Sequence, residues 1–357
     1  MGRVKENKRG AKKLIARFVI WLLFVGVVSA GIAGFFVWDR VFRPNVETGD
    51  ASSSDFYIHS GSDLQGVLDS LEKKGLIKDR RSLEWLSLRK NYHNNIRPGR
   101  YRLTGGMNNN DLINMLRSGN QVPVNVVFIS QRKVEDIASA VAGQIEADSA
   151  AIVNLINDTE FIESAGFNAN TIPALFIPNT YEMYWNVSAM QFINRMITEY
   201  ERFWNEERER KRRETGLTRV EVSTMASIIS EETTKIDEMP VIAGVYINRI
   251  KRGMRLQADP TIKYAIGDFT VNRILTVHLN TESPYNTYRY AGLPPGPIAV
   301  PPVQAIDAVL NAEHHDYLYF CAKEDFSGYH RFAKTLAEHN RNARLYQNAL
   351  NQRRVFR

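Results

Sequence analysis

Cysteine is almost missing from this chain. Cys321 is the only one in 357 residues, so no intramolecular disulfide can form. A reduced, buried thiol is the expectation for it. There is no C-x-x-C pair and no H-E-x-x-H, and His314 and His315 are adjacent, which turns their side chains apart; no metal and no cofactor is implied. A G-x-S-x-G elbow, a Walker A loop and a G-x-G-x-x-G turn are also lacking. Long apolar runs are scarce too, since nothing after residue 38 could cross a membrane.

One such run is present. Residues 18–38 read FVIWLLFVGVVSAGIAGFFVW, with Arg17 before and Asp39 after. A helix of that length spans roughly 30 Å, the thickness of a bilayer's hydrocarbon core. The first 17 residues carry seven Lys or Arg against one Glu, so most of the net charge of +7 sits there. That excess predicts a cytoplasmic tail at 1–17, a single-pass helix at 18–38 and an exported remainder, periplasmic if an outer membrane exists. A cleaved signal peptide is the rival reading, but the run continues through Phe35, Phe36, Val37 and Trp38, beyond the small residues Ser29, Ala30 and Gly31. Without its tail the chain is close to neutral, which gives no support for nucleic-acid binding.

Residues 39–55, including RPNVETGDASSSD, read as a flexible linker. An internal echo follows. Val67, Leu68 and Leu71 after Gly61-Ser62 repeat as Leu112, Ile113 and Leu116 after Gly106-Met107, and Gly75 and Gly119 close the two helices. Ser62 with Gln65 makes a capping box. Strand candidates lie at 56–59, 100–103 and 124–129, so small α+β units are expected. From 133 to 215 the pattern is helical, interrupted by a loop at 174–185. The run RERKRRE at 208–214 fits a solvated helix face or an anionic-surface site.

The chemistry concentrates after residue 220. VSTMASIISEETTK at 222–235 reads as a helix whose stripe Val222, Met225 and Ile229 continues to Glu232. A carboxylate ending a buried stripe is costly to ionise, so a raised pKa is expected, the state a general acid needs. Pairing with a basic residue, or facing water, is the bland alternative. Glu231 turns about 100° away, so the two do not form a carboxylate dyad. A second helix is expected near 238–251. In GMRLQADPT (253–261) a strand would point Arg255, Gln257 and Asp259 one way, suiting a ligand rich in hydroxyl and amide groups, or simply exposing a strand edge. SPYNTYRYAGLPPGPI (283–298) sets Tyr285, Asn286, Tyr288 and Tyr290 in a stiff Pro/Gly frame, a sugar-binding platform or a structural turn.

At these residues the chain resembles the endolytic peptidoglycan (murein) transglycosylases of the YceG-like (MltG) type. MASIISEET, VYINRIKRGMRLQADPT, SPYNTYRYAGLPPGPI and YLYFCAKEDFSGYHRFAKTLAEHN carry the likeness, in one order. The resemblance implies an α+β fold with a transmembrane helix, a small LysM-like module at 56–122 and a catalytic domain at 123–350. It implies that Glu232 is the essential acid and that Arg255, Gln257, Asp259, Tyr285, Asn286 and Tyr288 bind substrate. The substrate would be nascent peptidoglycan strands, cut with 1,6-anhydro-MurNAc formation, and membrane-bound synthases would be partners. Two departures stand out: Ser130-Gln131 replaces a usual Glu-Gly, and Pro178-Asn179 lacks the usual acidic residue. His330, His339 and Asn340 match a C-terminal motif, for packing or for substrate. A non-catalytic glycan-binding scaffold and a hydrolytic muramidase pairing Glu232 with Asp259 remain as alternatives.

Overall fold

The computed structural model describes residues 3–271 and 274–353. The chain forms two compact units, Met1–Pro123 with Tyr184–Asn186, and Val124–Met183 with Val187–Arg357. Every sheet among the described residues is a two-stranded antiparallel ribbon, so the fold is mixed α+β.

The first unit begins with helix α1 (Arg3–Phe42). Within it Ala16–Phe42 is long and apolar enough to cross a membrane and is not covered by protein. Strand β1 (Ser53–Ile58), helices α2 (Leu64–Lys73) and α3 (Arg80–Arg89), strand β2 (Gly99–Thr104) and helix α4 (Asn109–Ser118) follow. β1 and β2 pair with Phe56 opposite Tyr101. The echo seen in the sequence is the core of this unit. Leu64, Val67, Leu68 and Leu71 of α2 and Leu112, Ile113 and Leu116 of α4 are buried with Phe56, Leu83 and Tyr101. Each such side chain contributes ~1.5–3 kcal/mol on leaving water.

Two expectations for this unit are corrected. The cap of α2 is Asp63, whose carboxylate accepts from Gly66 N, rather than Ser62. Gln65 instead reaches across to Glu84 and Arg80. The linker at 39–55 is not free in its first half. Pro44 bridges to Asn108 and Val46 to Ile77. Asn45 is buried and donates to Asn109 Oδ1 (2.7 Å) and to the Asp79 carbonyl (3.0 Å). Residues 39–42 continue α1, and Val41, Val46 and one amide network override the polar composition of the segment.

The second unit starts with β3 (Val124–Phe128), α5 (Val134–Ala142), α6 (Ser149–Ile156) and α7 (Thr159–Ser164). Next come β4 (Asn179–Met183), α8 (Ala189–Phe203) and α9 (Glu206–Thr215). The loop expected at 174–185 therefore holds a strand. Tyr181 and Met183 point inward while Thr180 and Glu182 face out, and β4 pairs with β3. α9 buries no side chain and is laced by ion pairs such as Arg210–Glu214, a solvated face.

The remaining elements are α10 (Arg219–Glu232), α11 (Met239–Lys251), α12 (Asp259–Ile266), α13 (Thr276–Leu279), α14 (Val303–Leu310), the hairpin β5 (Tyr319–Ala322) and β6 (His330–Ala333), and α15 (Leu336–Gln352). α10 is the axis of this unit, packed by α11, α12 and α14. Its residues 222–229 are all buried. Cys321 lies on β5 and is half-buried rather than sealed in the core; burial still raises its thiol pKa.

Candidate active site

α10 starts on a capping box between Thr218 and Glu221 and stops at Glu232, because Thr233 leaves the helix in an extended conformation. The stripe Val222, Met225, Ile229 is buried and delivers Glu232 to the last turn. Glu231 is exposed and pairs with Arg132 (3.1 Å), as one helical step of rotation requires. Glu232 keeps a partial opening to solvent. Its carboxyl group is nevertheless surrounded by protein, and that burial pushes its pKa up to about 7. The Tyr246 hydroxyl donates to its Oε1 at 3.1 Å and pulls the other way. Asp259 adds to the rise, and Lys263 and Arg249 oppose it. The negative end of the α10 dipole also disfavours a charge there.

Tyr246 comes from α11 and is 1% exposed. Burial, then the Glu232 charge, holds its hydroxyl well above the ordinary tyrosine pKa, so it stays a donor. One turn on, the buried Arg249 donates from Nε to the Leu318 carbonyl (2.6 Å) and from Nη1 to the Leu256 carbonyl (2.6 Å). One guanidinium thus fixes both the polar segment 255–259 and the start of the β5–β6 hairpin. Burial lowers its pKa.

Residues 254–258 form no strand. Gln257 sits at φ 51°, in the left-handed region, which breaks strand geometry. The expected alternation survives as exposure: Arg255, Gln257 and Asp259 are exposed, while Leu256, Ala258 and Pro260 are buried. The segment is stitched to the tyrosine loop. Gln257 N donates to the Thr287 carbonyl (3.1 Å) and Ala258 N to Thr287 Oγ1 (3.0 Å). Asp259 opens α12 and accepts a 2.6 Å hydrogen bond from the Tyr288 hydroxyl.

Tyr288, Asp259, Glu232 and Tyr246 thus lie within electrostatic reach of one another. Tyr285 and Asn286 do not join them as open contact groups. Asn286 is fully buried; its amide donates to the Leu279 (3.0 Å) and Thr281 (2.8 Å) carbonyls and accepts from Tyr288 N (3.0 Å). It shapes the loop. Tyr285 is buried against Tyr264, and its hydroxyl donates to Asn170 Oδ1 (3.3 Å). Gly296 passes so close to the same turn that a Cβ there would lie 1.9 Å from the Asn170 carbonyl oxygen. Ile298 N donates to the buried Ser227 Oγ (3.0 Å), tying the loop to α10 itself.

The C-terminal motif residues separate. His330 Nδ1 lies 2.7 Å from Glu238 Oε2 and its backbone N–H donates to Oε1, so the buried Glu238 clasps β6. The His339 ring stacks on Tyr319, and Asn340 is exposed. At the two departures, Ser130 Oγ donates to the Val300 carbonyl, and Asn179 Oδ1 accepts from Thr180 N. Neither brings a further carboxylate to Glu232. No three His, Cys, Asp or Glu side chains gather as a metal site among the described residues. A cavity of about 390 Å³ lined by Gly244, Asn248, Leu310, Glu313 and His314 contains none of the groups around Glu232.

Sequence reasoning did not single out Tyr246, Arg249, Lys263 or Glu238. Tyr246 and Arg249 are spaced i, i+3 on α11 inside the motif VYINRIKRG, and that spacing was the available signal.

Comparison with known proteins agrees with the resemblance. The sequence profile of the YceG-like family matches residues 56–345. A Bacillus subtilis (strain 168) protein named endolytic murein transglycosylase is 28% identical over 337 residues, covering 90% of this chain and 92% of the relative. A protein of the same name from Streptococcus pneumoniae serotype 2 (strain D39) is 28% identical over 373 residues, covering 94% of this chain and 66% of the relative. The crystal structure of a putative yceG-like protein from Listeria monocytogenes superposes with a TM-score of 0.51 at 30% identity, over 81% of this chain and 98% of that one. With its profile, its relatives and its fold in agreement, the chain belongs to the YceG-like family.

Proposed function

We propose that this protein is a membrane-anchored endolytic murein transglycosylase with Glu232 as its acid. The observation that carries the reading is a single carboxyl group at the end of α10, held near pKa 7 by burial and touched by the Tyr246 hydroxyl. At neutral pH a large fraction of it keeps its proton, and the rest is a competent base. Protonated Glu232 donates to the oxygen of a MurNAc–GlcNAc β-1,4 bond. Positive character grows at the MurNAc anomeric carbon as that bond breaks. The C6 hydroxyl of the same sugar bonds to this carbon, and its proton returns to the Glu232 carboxylate. The products are a 1,6-anhydro-MurNAc end and a free GlcNAc 4-hydroxyl. No water is consumed and the acid is regenerated, so one carboxylate serves where ordinary glycosidases use two.

Arg255, Gln257, Asp259 and Tyr288 offer the exposed or half-open polar groups for the glycan. Tyr285 and Asn286 set the loop that carries Tyr288. The first unit runs strand, helix, helix, strand with the strands antiparallel, which supports a LysM-like, glycan-binding role for residues 56–122. The apolar segment of α1 supports an anchor with the N-terminus in the cytoplasm and the catalytic unit outside the plasma membrane. There the enzyme would meet strands as membrane-bound synthases make them and end their elongation.

Asp259 near Glu232 favours one second reading, a hydrolytic muramidase. Product analysis separates the possibilities. Incubation with uncrosslinked polymeric glycan is expected to release anhydro ends, and Glu232→Gln to release almost none. Reducing ends would support hydrolysis, and no cleavage would support a scaffold.

A further inference from the structure

The junction between α1 and the first unit is built unlike a tether. α1 packs on α3 and α4, Val41 joins the core of the unit, and Asn109 Nδ2 donates to the Arg40 carbonyl (2.8 Å). The membrane-length segment ends at Phe42, so this junction falls at the level of the lipid headgroups. The side chains there match that setting. Trp38 and Phe42 are exposed and in ring contact, 5.9 Å between centroids, as an interfacial aromatic belt would be. On α3, Trp85 is half-buried against the core of the unit, and two guanidinium groups lie near its ring, Arg89 at 4.6 Å and Arg40 at 5.8 Å from the centroid. Neither Arg40 nor Arg89 is paired with a carboxylate among the described residues. Leu88, one turn beyond Trp85, is 52% exposed.

Beside this aromatic lies a cleft of about 200 Å³ lined by Arg40, Arg43, Lys78 and the buried Asn45 and Asn109. Asp39 and Asp79 share it. Asp79 is committed to the N-terminus of α3, where it accepts from Ser82 N. Asp39 faces Arg43 at 3.8 Å and Glu47 faces Lys78 at 3.5 Å, both loose, exposed pairs. The cations therefore remain open to a stronger anion. We propose that this α1–α3 junction binds the phosphate headgroup of an anionic phospholipid in the leaflet that receives the exported domains. Arg40, Arg43 and Lys78, which line the cleft, would hold the phosphate, while Trp38, Trp85 and Leu88 lie against the acyl boundary. Bound lipid would fix the first unit on the membrane face. The inference rests on reading α1 as a membrane anchor.

Full-length protein in a neutral detergent is titrated with phosphatidylglycerol, with phosphatidylcholine of the same acyl chains and with inorganic phosphate, and retention is read by native mass spectrometry. The wild type is expected to retain phosphatidylglycerol at least about tenfold more tightly than phosphatidylcholine, with no displacement by inorganic phosphate. The triple variant Arg40→Gln/Arg43→Gln/Lys78→Gln loses that preference, and Arg40→Lys/Arg43→Lys keeps most of it. Equal retention of both lipids by the wild type overturns the proposal. So does an undiminished preference in the Gln variant, or displacement by inorganic phosphate, which marks a free-phosphate site instead. Failure of the anchor reading is seen separately, as a catalytic unit inaccessible to protease added outside intact spheroplasts.

Discussion

Replacing Glu232 by Gln removes the proposed acid and should also stabilise the protein, in a way that depends on pH. The ordinary Glu pKa of 4.5 is raised to about 7 in the folded chain, chiefly by burial. An acid whose folded pKa lies above its unfolded value opposes folding once it ionises. The penalty is absent below pH 4.5, grows as pH rises towards 7, and is constant above that. At about 1.4 kcal/mol per unit, the full penalty is about 3 kcal/mol. A glutamine keeps the shape, still accepts from the Tyr246 hydroxyl and never ionises. Urea unfolding of full-length wild type and Glu232→Gln in detergent, followed by circular dichroism between pH 4 and pH 8.5, reads the difference. The two should be nearly equal at pH 4, and the variant should be more stable by about 3 kcal/mol at pH 8.5. A gap that does not change with pH, or a less stable variant at pH 8.5, would mean that burial does not raise the Glu232 pKa. The expected gap means that catalysis and stability trade against each other at one side chain, the pattern of a functional carboxyl group.

Tyr246→Phe removes a donor that favours ionised Glu232. The alkaline limb of kcat/KM against pH should move up by about one unit, since a hydrogen bond to a charge is worth ~1.5 kcal/mol at the low end. Asp259→Asn removes an anion that raises the Glu232 pKa, so the same limb should move down, read from the same profile. Anhydro products should persist in Asp259→Asn; their loss in favour of no cleavage would instead make Asp259 a catalytic partner. Gly296→Ala would drive a methyl group into the Asn170 carbonyl. It should lower stability by about 1–3 kcal/mol in thermal unfolding and loosen Tyr288, raising KM more than it lowers kcat.

The elements that a local pattern can specify were legible. Stripes at helical spacing mark α2, α4 and α10, a helical pattern covers α8, and the buried stripe of α10 points to Glu232. The membrane-length run was plain from hydropathy alone. What escaped depended on groups distant in sequence. Tyr246 meets Glu232 only because α11 folds back along α10, and nothing within either helix announces the pairing. Asn286 has the polarity of a ligand-binding residue, yet three backbone partners fill its amide. Gln257 reads as part of a strand, but its left-handed backbone is set by Thr287 and Arg249 from other segments. The segment at 39–55 looks like a linker because composition averages over residues, whereas the end of α1, Val41, Pro44, Asn45 and Val46 hold its first half on the unit.

The proposed chemistry requires Glu232 to carry a proton near neutral pH. Its carboxyl carbon can be followed by ¹³C NMR in glutamate-labelled protein, assigned by difference with Glu232→Gln, as pH is varied. A midpoint near 7 is the predicted result. A midpoint near the ordinary Glu value of 4.5 would mean that Glu232 is ionised at neutral pH and is not the acid.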